Sequence, residues 1–261
     1  MVLIEEKVPY GTTKRSKMPD DKLSEILTED LADRKKVDNI DAKKMTTILD
    51  SIYNKALNGI PRVSRSVDDI VADYTSKFSD VRAASKELVK YQIAKCGTSG
   101  FLAGLGGIIT LPVAVPANVG RVLYVQIRMI AAIAKMGGFD IHSDQVQTLV
   151  YACLTGGAVA DVIRKTGIQI GEKISEAAIA RIPVQILATV NKKVGFCLIS
   201  QFGTEGTVNL MGLVPIAGGV IGGAIDVAFT KIVANNAISI FIDKKIPGTR
   251  KDRRKKLEVV Q

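Results

Sequence analysis

The sequence predicts an all-α protein, a multi-helix bundle whose glycine-rich apolar helical hairpins associate with a membrane. Apolar residues recur at helical spacing in several segments, and no segment alternates like a strand or repeats like a solenoid. The composition, with 47% hydrophobic residues, 23 glycines and no Trp, is typical of closely packed helices and often of membrane helices. A charged fraction of 24% nevertheless argues against a wholly embedded protein.

Changes in composition divide the chain into three parts. Residues 1–40 form a polar arm of mixed charge with one possible helix after Pro19, residues 41–243 form the helical domain, and residues 244–261 form a basic tail. The first residues have neither a basic n-region nor a cleavage motif, so we expect no signal peptide. The folded part is therefore expected at the cytoplasmic face of the cell membrane, peripheral or partly inserted.

Three amphipathic helices are predicted at the start of the domain. Asp41 caps the first, which stops at Asn58-Gly59-Ile60-Pro61, and Ser66 caps the second. The third covers residues 80–95. These helices either cover the apolar half of the protein or lie on a membrane surface, and their apolar stripes alone do not separate the two alternatives.

The segment from Cys96 to Gly120 is the most apolar part of the chain and contains no charged residue. About 20 apolar residues suffice to cross a bilayer, but glycines and the pair Pro112 and Pro116 interrupt this run. The pattern predicts a helical hairpin whose second helix covers residues 117–136.

That second helix carries a polar stripe, because Arg121, Arg128 and Lys135 recur every seven residues. In one interpretation, the side chains of this stripe are solvated or form ion pairs on the surface of a packed helix. In the other, Arg121 and Arg128, with Gln126 nearby, bind an anion such as a lipid phosphate or a buried carboxylate. For Arg128 we expect an ion pair with Asp161 or Asp226, the acidic residues bordering the other glycine-rich blocks.

The spacing of apolar residues in the C-terminal half of the chain predicts further helices. An uncharged one covers residues 145–160 after a cap at Ser143 or Asp144, and two amphipathic ones cover 168–182 and 183–201. Residues 206–225 are again uncharged and contain a doubled small-xxx-small pattern, so replacing Gly219 or Gly222 with Leu should destabilise the fold. The candidate helix-contact glycines are Gly104, Gly107, Gly218, Gly219, Gly222 and Gly223.

Catalytic and metal-binding patterns are incomplete. His142 is the single histidine, and three widely spaced cysteines favour reduced thiols over disulfides or a zinc site. Gly97-Thr98-Ser99-Gly100 lacks the second glycine and the strand of a nucleophile elbow, and no dinucleotide or P-loop motif is present. The sequence therefore favours a protein without cofactor, metal or catalytic residues over an enzyme.

The basic tail has eight Lys or Arg residues within residues 244–256. It is either a juxtamembrane segment, attracted to anionic lipid by about 1 kcal/mol per charge, or a solvated disordered tail. Nucleic acid is a weaker candidate, because no aromatic residue accompanies these charges. The basic residues are Lys244, Lys245, Arg250, Lys251, Arg253, Arg254, Lys255 and Lys256.

Several of these motifs together resemble the EcsC family of bacterial proteins. The resemblance rests on the glycine-rich run with Leu111-Pro112 and Pro116, Gln126-x-Arg128-Met129-x-Ala131 to Ala134, Gly138-x-Asp140, Ser143 to Val146, Asn191 to Phe196, and Val214-Pro215 with Gly218-Gly219-Val220-x-Gly222-Gly223. It implies a non-enzymatic membrane-associated protein and makes an ABC transporter a candidate partner. The alternative is a soluble all-α protein with a lipid-binding or hydrolytic pocket.

Overall fold

The structure is a computed structural model that describes residues 3–6, 14–17, 37, 40–96, 117–166, 174–203 and 223–247. Several residues predicted from the sequence to be functional lie outside this part of the chain. They are Gly104, Gly107, Gly218, Gly219, Gly222, and the tail residues Arg250, Lys251, Arg253, Arg254, Lys255 and Lys256.

Helices make up the described part of the domain, which confirms the all-α class. They are α1 (Ala42–Asn58), α2 (Val67–Lys77), α3 (Val81–Cys96), α4 (Ala117–Met136), α5 (Asp144–Cys153), α6 (Val159–Ile163), α7 (Glu176–Ala180), α8 (Val184–Phe202) and α9 (Gly223–Ala237). In the N-terminal arm, β1 (Leu3–Glu6) and β2 (Lys14–Lys17) form an antiparallel pair that the sequence did not predict.

Side-chain caps begin several of these helices where the sequence predicts them. Asp41 accepts a hydrogen bond of 2.8 Å from the Lys44 amide at the start of α1. Ser66 and Asp69 form a reciprocal capping box on α2. Of the two predicted caps for α5, the structure selects Ser143, whose hydroxyl accepts from the Val146 amide.

The predicted uncharged helix over residues 145–160 is interrupted, which corrects the sequence prediction. α5 ends at Cys153, and the chain continues through a short 3-10 turn, Gly156–Ala158, into α6. Asn236 of α9 donates its amide to the carbonyl oxygens of Cys153 and Gly156, at 3.4 and 2.7 Å. Gly156 adopts a φ of 59° against the ring of Phe229, a conformation that favours glycine. The break therefore depends on α9.

The central element is α4, whose predicted bounds are confirmed. Residues 123–134 are all buried. The helix contacts α1, α2, α3, α5 and α9, so side chains on every face meet a neighbouring element. None of the helices in the described ranges combines the length and the apolar character that a membrane span requires.

Two neighbours of α4 have a defined direction. Gln126 contacts Thr230, and Gly137, the residue after the end of α4, packs against the carbonyl oxygen of Phe241, so α9 and its C-terminal π turn (Ile238–Ile242) run parallel to α4. Ser85, near the start of α3, contacts Met136 at the end of α4, so α3 is antiparallel. The N-termini of α4 and α9 and the C-terminus of α3 therefore lie at one end of the bundle.

The described chain ends at the opposite end of α4. There Lys244 lies over the ring of Phe139 with Nζ 5.5 Å from the ring centroid, and Ile246 is buried. Asp243 forms an ion pair with Arg82 of α3. Lys244 and Lys245, predicted as tail residues, thus adjoin the folded domain, and the Lys244 carbonyl accepts from the Ile174 amide.

Candidate functional site

The polar stripe of α4 changes character along its length. Arg121 is half-buried and has an interaction partner of its own. Lys135, at the other end, forms a 2.5 Å ion pair with Asp68 of α2. Between them, Arg128 is only 6% exposed. The stripe is therefore solvated and paired near its C-terminal end and buried in its middle.

Arg128 is a buried cation without a counter-ion among the described residues. Its Nε is fully buried and has no hydrogen-bond partner in this part of the chain. One turn earlier on the same face, the hydroxyl of Tyr124 lies 2.5 Å from the Ser64 hydroxyl, in the turn that precedes α2. Arg128 and the hydroxyl pair thus lie on the same face of α4, one helical turn apart.

The predicted ion pair between Arg128 and Asp161 is not formed. Asp161 is exposed and pairs with Arg164 at 3.1 Å, three residues further along the chain. Residues at i, i+3 spacing are neighbours on a helix, so the ion pair of Asp161 with Arg164 forms at little conformational cost and is favoured over a pair with Arg128.

Asp226 is the other predicted partner of Arg128. Its helix, α9, packs on the side of α4 opposite to Arg128. α9 contacts α4 through Gln126, which is about 160° from Arg128 around a helix of 3.6 residues per turn. The Asp226 side chain itself lies outside the described part of the structure. The position of α9 does not favour a pair between Asp226 and Arg128.

Gln126, predicted to share a site with Arg128, faces a different neighbour. Its amide nitrogen donates to the Thr230 hydroxyl of α9 at 3.0 Å, and its Oε1 is buried without a partner in the described chain. Gln126 therefore belongs to the contact between α4 and α9, and it is separated from Arg128 by the width of the helix.

A second polar cluster, which the sequence did not indicate, joins α1 to α5. Asp50 Oδ1 accepts hydrogen bonds of 2.8 Å from Gln147 and from the Tyr151 hydroxyl. Burial, and then the neighbouring Asp50 carboxylate, raises the pKa of Tyr151, which also packs edge-on against Tyr53. The neutral side chains of Gln147 and Tyr151 on α5 thus both donate to the carboxylate of Asp50 on α1, and these hydrogen bonds link the two helices. Only the i, i+4 spacing of Gln147 and Tyr151 is visible in the sequence.

An exposed apolar side chain lies near the end of α8. Phe196 is 70% exposed, and Lys192 and Lys193, four and three residues earlier, are exposed beside it. The opposite face of this turn packs tightly, because Gly195 lies against the backbone of Ala42 at the start of α1. The packing of Gly195 thus holds Phe196 outward, in the segment Asn191–Phe196 that resembles the family motif.

The remaining chemistry-bearing residues do not cluster. Within the described ranges, no three His, Cys, Asp or Glu residues come together in a way that could hold a metal ion. Cys153 and Cys197 are free thiols, and burial raises the pKa of each. His142 is exposed in the turn before α5.

Comparison with known proteins identifies a family. A model of the EcsC protein family matches residues 12–242, which is most of the chain. No curated protein and no solved structure matches. The match includes the central helix, the exposed Phe196 segment and both glycine-rich blocks.

Proposed function

The chain belongs to the EcsC protein family, and on that premise we propose that it is a non-enzymatic helical protein that associates with the cytoplasmic face of a membrane through its two uncharged glycine-rich blocks. The first block is residues 97–116 and the second is residues 206–222. Neither block contains a charged residue, and each ends where a described helix begins.

The observation that carries the proposal is that both blocks enter the bundle at the same end. The first leads into α4 at Ala117 and the second leads into α9 at Gly223, and α4 and α9 are parallel. The C-terminal ends of two long apolar segments are thus joined to the same end of a folded domain. Such a concentration of apolar, charge-free chain favours contact with lipid or with a membrane protein over exposure to water.

The turn of α8 that contains Phe196 is a separate candidate contact, because Gly195 lies beside Ala42 at the start of α1, away from the N-termini of α4 and α9. This helix is the element that precedes the second block, and Phe196 lies two turns before its end at Phe202. Lys192 and Lys193 stand beside Phe196, and aromatic and basic side chains together are enriched where helices meet a membrane surface. These three residues form a second candidate contact with anionic lipid.

The basic tail can act at the same surface although it leaves the bundle at the other end. α4 has 20 residues and is about 30 Å long at 1.5 Å per residue. The chain after Pro247 contains 14 residues, and an extended chain spans about 3.3 Å per residue. Its reach of roughly 46 Å exceeds the length of the bundle.

An ABC transporter remains the proposed membrane partner, on the strength of the family resemblance. The glycine-rich pattern Gly218-Gly219-x-x-Gly222-Gly223 allows another helix to approach at backbone distance, which suits a protein partner in the membrane. The competing proposal is a soluble protein in which the two blocks close over an internal lipid-binding or hydrolytic pocket.

Membrane fractionation tests the proposal. Cells expressing the chain are lysed, and the membrane pellet is washed with concentrated salt and then with alkaline carbonate. We expect the chain in the pellet, resistant to salt, because the apolar blocks hold it there after charges are screened. A variant lacking the residues after Pro247 separates the tail from the blocks and should stay in the pellet. Recovery of the full chain in the soluble fraction would contradict the proposal.

A further inference from the structure

We propose that Arg128, together with the hydroxyl pair of Tyr124 and Ser64 beneath the start of α2, forms an internal binding site for a phosphate-type oxyanion. The inference does not depend on membrane association, because the site lies within the helical domain and can be tested on purified protein in solution.

The first step is the cost of the buried charge. An arginine carries its positive charge under all ordinary conditions, and a charge removed from water is strongly unfavourable unless it is paired. Arg128 is 6% exposed, and its Nε has no acceptor in the described chain. A bound oxyanion would supply both the counter-charge and the acceptor atoms that the domain lacks at this point.

The second step is the position of Arg128 on the helix. Tyr124 and Lys135 lie within about 40° of it around α4, and they contact Ser64 and Asp68 respectively. Ser64 lies in the turn before α2, and Asp68 lies in its first turn. Arg128 therefore lies on the face of α4 that the N-terminal end of α2 covers, one turn after Tyr124.

The third step is the character of that helix end. α2 has 11 residues, and the N-terminus of such a helix carries a partial positive charge and free amide donors. Its capping box uses the amides of Ser66 and Asp69 and leaves those of Val67 and Asp68 to other acceptors. Arg128, the hydroxyl pair and the N-terminus of α2 thus share one face of α4, and each of these groups can bind an anion.

The fourth step is that the nearby carboxylates already have partners. Asp68 pairs with Lys135, Asp69 accepts from Ser66, and Asp73 pairs with Arg65 and Lys77. The hydrogen bond from the Ser66 side chain is the main cause that lowers the pKa of Asp69. The hydrogen bond from the Lys77 side chain is the main cause that lowers the pKa of Asp73. The anion for Arg128 therefore has to be one that the described chain does not supply.

Thermal unfolding of the purified full chain in inorganic phosphate tests the site. Against chloride at equal ionic strength, phosphate at roughly 100 times its Kd should raise the Tm of the wild type by about 5–10 °C. Arg128→Met should abolish this rise. Lys135→Met is the matched control, because it removes a cation from the same stripe that already has a partner, and it should retain the rise.

A second variant distinguishes loss of the phosphate site from a general folding defect. Tyr124→Phe keeps the ring and removes one hydroxyl of the site, so it should fold and show a smaller phosphate response than the wild type. In chloride alone, Arg128→Met should unfold at the same or a higher temperature than the wild type, because it removes a buried charge that has no partner.

Vesicles distinguish the two sources of the phosphate group. If the natural ligand is a lipid headgroup, Arg128→Met should weaken binding to vesicles of phosphatidylcholine with phosphatidic acid, relative to Lys135→Met. If it is a free phosphate compound, the two variants should bind such vesicles equally while only Arg128→Met loses the response to inorganic phosphate. A wild type that responds to neither probe, or variants that respond alike to both, would overturn the proposed site.

Discussion

Gly195 is the position at which the structure makes its sharpest stability prediction. A Cβ atom at this residue would lie 2.7 Å from the carbonyl oxygen of Ala42 and 3.2 Å from its Cα. The first distance is about 0.7 Å shorter than ordinary van der Waals contact, which begins at 3.4 Å. Backbone atoms cannot rotate away like a side chain, so α1 and α8 would have to separate to admit even one methyl group.

The size of the effect follows from two opposing contributions. Overpacking in a well-packed core costs about 1–3 kcal/mol, while alanine is a better helix former than glycine by up to about 1 kcal/mol. Gly195→Ala should therefore destabilise the protein by about 1–2 kcal/mol, and Gly195→Leu by more. Gly157 provides the matched control, because it is exposed and has no atom within 4 Å of its Cβ position. Gly157→Ala should be neutral or slightly stabilising.

Thermal or denaturant unfolding of the two alanine variants measures this difference. At about 2–4 °C per kcal/mol for a domain of this size, the Tm values should differ by roughly 2–8 °C, with Gly195→Ala the lower. Equal Tm values for Gly195→Ala and the wild type would show that α1 and α8 do not approach each other this closely, and would refute the packing argument.

Three further predictions concern charge and ionisation. Neutralising the basic tail should weaken binding to anionic vesicles and make that binding less dependent on salt; the residues to change are Arg250, Lys251, Arg253, Arg254, Lys255 and Lys256. A tail of the same composition in scrambled order should bind normally. Unchanged binding of the neutralised variant would show that the tail does not contribute to membrane binding. A thiol reagent should modify the half-buried Cys197 in the native protein and Cys153 only after unfolding, as mapped by mass spectrometry, and early labelling of Cys153 would contradict its burial. Burial raises the folded-state pKa of Tyr53 and Tyr151, so the stability they confer should be constant below the ordinary tyrosine pKa of about 10 and fall as the pH rises above it. Tyr151→Phe should reduce that alkaline slope in urea unfolding, and an unchanged slope would show that Tyr151 does not contribute.

Features set by neighbouring residues could be predicted from the sequence. The bounds of α4 and the caps at Asp41 and Ser66 follow from Pro, Asp and Ser at fixed positions next to helical apolar repeats. The start of α8 after Pro183 has the same kind of local cause.

Features set by distant residues could not be predicted. The interruption after α5 is bound by Asn236, which is about 80 residues away along the chain, and within residues 145–160 only the glycine at Gly156 is suited to it. The Asp50 cluster likewise joins α1 to α5 across 101 residues.

The candidate site shows the same limit. The heptad spacing identified Arg128, but its neighbours Tyr124 and Ser64 are brought together only by the packing of α2 on α4. The ion pair of Asp161 with Arg164 has i, i+3 spacing, so a local partner for Asp161 was visible in the sequence and outweighs a distant one.

The central claim, that the end of the bundle bearing both glycine-rich blocks meets the membrane, is tested most directly by lipid-phase quenching. A fluorophore is attached to a single reactive cysteine placed at Ser99 in the first block, at Val220 just before the start of α9 in the second, or at His142 at the opposite end of α4, after Cys96 and Cys197 have been replaced by Ser. In vesicles whose acyl chains carry a quencher, we expect strong quenching at positions 99 and 220 and little at position 142. Equal quenching at all three positions, or quenching confined to position 142, would contradict the account.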